Sequence, residues 1–191
     1  MPNLQPSELE LDLAEKELHL VDGTSPFDQA EIHWRNFLGY LQKAWNKVIN
    51  ECESDERFNP IRGVVGNLRR SDPLLSYLSK ARDIDQHSAA TLASFHIDTI
   101  PNVRSPMILS NTETGEEYHF NAQVGLIMFK VIPFEYKGQK EKKKTSTTTV
   151  YPPSMHLKEH LRDGTDPMVI GRIAIEFYRR KIAEVKIALG I

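Results

Sequence analysis

Hydrophobic residues recur at spacings of three and four along much of this chain, the period of a buried helix face. The clearest run is Phe27, Ala30, Trp34, Phe37, Leu38, Leu41, Trp45 and Val48. Ser25-Pro26 before it has the grammar of a helix start, with a capping hydroxyl and a proline at the first helical position; Asp28 follows where the helix dipole favours an anion. The pattern predicts a long amphipathic helix from about residue 26 to 50, ending in the polar run Glu51 to Glu56. His33, beside Trp34, belongs to the core or its rim.

Asp72-Pro73 opens a second helix in the same way. Leu74, Leu75, Leu78, Ala81, Ala89 and Leu92 follow at helical spacing and predict helix from Pro73 to Ser94. Asn59-Pro60 and Gly63 mark the connection, with a short helix or turn around Val64 to Leu68. Two long amphipathic helices so joined should pack antiparallel. Asp166-Pro167 starts the last helix, with Val169, Ile170, Ile173, Ile175, Phe177, Ile182, Val185 and Leu189 as its apolar positions and Gly190 as its stop.

Two regions depart from that period. Residues 8 to 21 are good helix formers, but Leu9, Leu11 and Leu13 alternate with acids; the alternation favours a short hairpin or extended pair before the Asp22-Gly23 turn. From Ile97 onward, Pro101, Pro106, Thr114-Gly115 and Asn121 break the chain into short pieces. Val124 to Pro133 and Thr147 to Tyr151 read as strands. KGQKEKKKTS between them reads as a basic hairpin tip.

The expected fold class is therefore mainly α (α+β): a helical bundle with a small β insertion before the C-terminal helix. One domain spans residues 1–191, with the long-helix core at 26–95, the β insertion at 100–152 and the closing helix at 166–189. At 191 residues and 40% hydrophobic composition, the chain is long enough for one core.

The formal net charge of −2 argues against a general nucleic-acid binder, though not against a local basic patch. The single cysteine, Cys52, forms no intrachain disulfide. The acidic N-terminus is unlike a secretory signal, and no apolar run approaches the ~20 residues of a membrane span. A soluble cytoplasmic protein without membrane contact is expected, and no motif calls for a cofactor.

The segment "ARDIDQH" (residues 81–87) sets four charged or titratable residues into the second apolar helix. With Leu78 at the centre of the buried stripe, Arg82 and Asp85 fall on the covered side, while Asp83 and His87 fall opposite, four residues apart. A buried ion costs several kcal/mol unless it is paired. Either Arg82 pairs with Asp85, or the stripe opens there onto a cleft.

Arg82-Asp83 followed by His87 resembles the R-x4-6-H signature of the HEPN superfamily (higher eukaryote and prokaryote nucleotide-binding domains). "HWRNFLGYLQKAW" resembles that family's aromatic-rich first helix, and "SDPLLSYLSKARDIDQH" its signature helix. The resemblance covers residues 26–95 and implies a HEPN-like helical bundle working as a homodimer on RNA, as a metal-independent endoribonuclease. Arg82 would then hold the phosphate, His87 would transfer protons, Asp83 would orient the imidazole, and the 2′-hydroxyl would attack. Arg82 and His87 point ~140° apart on an ideal helix. A long arginine side chain, a distorted turn or a second subunit would bring them together.

Two rival functions are open. One is a non-catalytic interaction module that docks a protein partner through an exposed apolar surface. The other is a metal-dependent hydrolase at His156, Glu159 and His160, whose "HLKEH" matches an inverted zinc-peptidase pattern. The run Lys137 to Lys144 is either a solvated loop or a phosphate contact.

Overall fold

The computed structural model describes residues 2–23, 27–87, 91–110, 117–138 and 146–191. The protein is mainly helical, with small β elements. Helices α1 (Gln5–Gly23), α2 (Phe27–Cys52), α3 (Asn59–Ser71) and α4 (Pro73–His87) come first. Strands β1 (Ala93–Ser110), β2 (Glu117–Val131), β3 (Phe134–Gly138), β4 (Ser146–Val150), β5 (Met155–His156) and β6 (Glu159–His160) follow, and α5 (Pro167–Leu189) closes the chain.

The aromatic stripe of α2 is the centre of the core. Trp34, Phe37, Leu38, Leu41, Trp45 and Val48 are all buried, and Trp34 stacks on Phe37. From α5, Tyr178 packs on Trp45 and Phe177 on Tyr178. Asp166 caps α5 by accepting from the Met168 N–H at 2.8 Å, and Gly190 ends it at φ 72°, a left-handed conformation suited to glycine. Ser25 lies outside the described residues. Leu74, Leu75, Leu78, Ala81 and Ile84 turn the buried face of α4 inward.

The N-terminal segment is a helix and not the expected hairpin. Its buried stripe is Leu11, Ala14, Leu18 and Val21, spaced by three and four, while Leu9 and Leu13 stay exposed. Alternation over five residues lost to a longer helical period in a stretch rich in Glu, Leu, Ala and Lys. The acids of α1 meet cations of its neighbours: Glu8 with Lys186 at 2.7 Å, Glu10 with Lys47 at 2.6 Å, and Asp12 and Glu15 with Arg179, each at 2.9 Å. His33 sits on the rim of the core, 2.7 Å from Glu17.

Three further expectations change. The region around Val64 to Leu68 lies within the thirteen-residue helix α3. The helix expected to reach Ser94 is described to His87, and Ala93 and Ser94 open β1. Leu92 is buried, and its carbonyl accepts from the Ile132 N–H at 3.1 Å. β1 is one eighteen-residue strand despite Pro101 and Pro106. It pairs with β2 alone in a two-stranded sheet. Among the described residues β1 has one strand neighbour, and a residue with no N–H does least harm on a strand's unpaired side.

The chain forms two compact units, Met1–Ser94 with Phe129–Ile191, and Phe95–Met128. In the larger unit, β3 and β4 form an antiparallel hairpin with Phe134 opposite Val150 and Gly138 opposite Ser146; β5 and β6 form another with His156 opposite Glu159. Among the described residues no helix is long and apolar enough to cross a membrane.

Candidate functional site

Helix α4 carries the residues singled out from the sequence, and its start is fixed by a buried carboxylate. Asp72, 5% exposed, accepts from the Leu75 N–H at 3.0 Å, which satisfies one of the free donors of the first turn. Its other oxygen accepts from the Leu157 N–H at 2.7 Å, and His156 Nδ1 lies 3.0 Å from the first oxygen. One side chain thus caps α4 and ties it to the β5–β6 hairpin. The His156 ring meets Phe177 edge-on, and its buried Nε2 has no hydrogen-bond partner among the described residues.

The charges within α4 do not pair as i, i+3 neighbours. Asp85 is bonded by Arg35 of α2, which also reaches Glu31 at 2.8 Å. Arg35 stands in the first half of α2 and Asp85 near the end of α4, as an antiparallel pair requires. Burial works against the Arg35 charge, but the hydrogen bonds Arg35 donates to Asp85 and Glu31 outweigh it and hold the guanidinium above its ordinary pKa.

Arg82 is left differently placed. Its side chain is 22% exposed, and the Asp83 carboxylate lies 3.7 Å from one terminal nitrogen, beyond hydrogen-bond length. Its Nε is buried without an acceptor among the described residues. Asp83 accepts from the Tyr136 hydroxyl at 3.4 Å, bringing β3 beside this part of α4. Burial, then the charge and hydrogen bond of Asp83, raise the Tyr136 phenol above its ordinary pKa. Position 87 is the last residue of α4. The His87 side chain lies outside the described residues, so its relation to Arg82 and Asp83 does not enter the geometry.

The histidines of "HLKEH" fall on two-residue strands, not on a helix. His156 is buried against Asp72, while Glu159 and His160 are exposed on β6. The i, i+4 geometry that would direct both rings to one zinc is therefore absent from this segment. No group of three or more His, Cys, Asp and Glu side chains among the described residues is arranged to hold a metal ion. Of the basic run, Lys137 is exposed at the end of β3, and residues 139–145 lie outside the described residues.

Sequence reasoning passed over residues that the fold gathers beside Asp83. Arg69, Arg70, Lys80 and Tyr136 share an open cleft of about 400 Å³ with it. The Arg69-Arg70 doublet was the available signal; its partners stand on other elements and leave no local pattern. Comparison with protein-family models, with curated proteins and with solved structures gives no match to this chain.

Proposed function

We propose that this protein is a HEPN-like, RNA-directed protein that cleaves RNA without a metal, using Arg82 and His87 in a homodimer. The observation that carries the reading is the state of Arg82. A guanidinium at the edge of the core, 22% exposed and with the Asp83 carboxylate only at 3.7 Å from a terminal nitrogen, can turn its terminal nitrogens to a phosphate. Arg35 engages Asp85, so that second acid of α4 does not compete for Arg82.

In the proposed reaction the His87 imidazole takes the proton of the RNA 2′-hydroxyl as that oxygen attacks the adjacent phosphorus. The P–O5′ bond breaks, the departing oxygen takes a proton from the facing subunit's His87, and a 2′,3′-cyclic phosphate remains. Arg82 balances the charge that builds on the phosphoryl oxygens. Two subunits supply the base and the acid, which also answers the ~140° divergence of positions 82 and 87 on one helix.

A second reading, a module that docks a protein partner, is favoured by a different feature. Leu9, Leu13 and Leu20 lie exposed along one face of α1.

The test is end-group analysis of single-stranded RNA incubated with purified protein in chelator, beside a sedimentation measurement of subunit number. Cyclic-phosphate ends from a dimer support the endonuclease. Intact RNA, or a strict monomer, favours the docking module.

A further inference from the structure

The cleft beside Asp83 does not end there. A second opening of about 280 Å³ shares Arg70, Ser76 and Lys80 with it and continues over the β3–β4 hairpin to Tyr151. The two form one groove along α3 and α4. From these openings, we propose that the groove binds the sugar–phosphate backbone of single-stranded RNA, with Arg69, Arg70 and Lys80 against phosphates and Tyr151 stacked under a base.

The partners of the cations carry the argument. Several cations elsewhere in this unit meet carboxylates: Lys47, Arg57, Arg179, Lys181 and Lys186 are in ion pairs. In the groove they meet neutral groups. Arg69 donates to Ser79 Oγ at 3.1 Å and to Gln42, Arg70 donates to Asn67, and the Lys80 ammonium lies 6.0 Å from the Tyr136 ring centre. Among the described residues no carboxylate is ion-paired with any of the three. The groove thus gathers three cations outside any ion pair among the described residues, with Asp83 the single carboxylate among its lining residues, in a protein whose formal net charge is −2.

The second feature is Tyr151. It is 69% exposed, just past β4, at the far end of the same groove. A large ring left in water gives an unpaired base a stacking surface, and a duplex has no free base face to offer it. An acidic peptide would satisfy the cations but has no base to place on the ring. Direction follows from the helix. Ser76, Lys80 and Asp83 lie on one face of α4, and the α-helical period carries that face on to position 87. A strand in the groove would therefore run toward the end of α4. This deepens the RNA-directed reading and rests on it for the identity of the ligand.

The test is fluorescence anisotropy of a labelled twelve-nucleotide oligouridylate with the His87→Ala protein in chelator, so that no cleavage intervenes. Arg70→Gln and Lys80→Gln should each weaken binding several-fold and reduce the slope of log affinity against log salt by about 0.7, the value for one phosphate contact on a single strand. Tyr151→Ala should weaken binding about tenfold or more with the salt slope unchanged. All three residues are at or near the surface, and an unchanged thermal unfolding curve confirms the fold of each variant. Equal affinity of the variants and their parent overturns the groove, as does tighter binding of duplex RNA or preferred binding of labelled oligoglutamate. The outcomes separate from those of the nuclease. Groove-dependent binding by a wild-type protein that cleaves nothing keeps the groove and removes the catalysis. Cleavage that survives the groove substitutions, with affinity unaltered, does the reverse.

Discussion

The Asp72 carboxylate sits 3.0 Å from His156 Nδ1 while capping the first turn of α4. Residues 84 positions apart are thereby joined at the base of the helix that carries Arg82. Asp72→Ala removes a helix cap and leaves the buried His156 ring and the Leu157 N–H without their acceptor. We expect a loss of about 2–4 kcal/mol. Asp72→Asn, which can still cap, should lose less. Urea unfolding of the two variants checks both size and order; equal stability with wild type contradicts the assignment.

Asp85 and Arg35 are each about a quarter exposed, so their ion pair is screened but not fully solvated. Asp85→Ala should cost about 1 kcal/mol, and a double-mutant cycle with Arg35→Ala should show coupling between the two sites. Additive losses would mean the pair contributes only through packing. Arg82→Ala should be nearly neutral in the same measurement, since no described carboxylate is hydrogen-bonded to it.

A Cβ at Gly164 would overlap the backbone carbonyl of Pro153, and one at Gly171 would lie 2.6 Å from a methyl carbon of the buried Leu18. A side-chain methyl can move aside more readily than a carbonyl. Gly164→Ala should therefore be the more damaging, by about 1–3 kcal/mol. Reversed order in thermal denaturation contradicts the close approach of Gly164 to Pro153 and of Gly171 to Leu18.

Burial pushes up the phenol of Tyr77, whose hydroxyl donates to the Ile132 carbonyl at 3.2 Å. Its folded pKa lies above its unfolded value, so the folded state holds the proton more tightly. The associated stability is complete below the unfolded tyrosine pKa of ~10 and is lost as pH rises from there toward the folded value. Tyr77→Phe should start less stable through the lost hydrogen bond, then lose less than wild type across that alkaline range. Parallel loss in both proteins, followed by urea unfolding at stepped pH, would contradict it.

What the sequence disclosed follows from how local each signal is. The stripe of α2, the Asp72-Pro73 and Asp166-Pro167 starts and the Gly190 stop are contained within a few turns of helix, and all appear. Helix α1 was misread because Leu9, Leu11 and Leu13 mimic a strand over a window shorter than the helical repeat that buries Leu11, Ala14, Leu18 and Val21. The length of β1 was hidden by Pro101 and Pro106, which read locally as breaks. The partner of Asp85 lies 50 residues away on α2, and the His156 partner of Asp72 lies 84 residues away on β5. The groove draws on α3, α4 and the β3–β4 hairpin, so no single stretch of residues announces it.

The most direct measurement compares wild type, Arg82→Ala and His87→Ala for cleavage of single-stranded RNA in chelator, with each fold verified by its unfolding curve. The account predicts cyclic-phosphate products from wild type and a loss of at least about a hundredfold in rate from each variant. Undiminished cleavage by either well-folded variant, or cleavage that stops when metal is chelated, would contradict it.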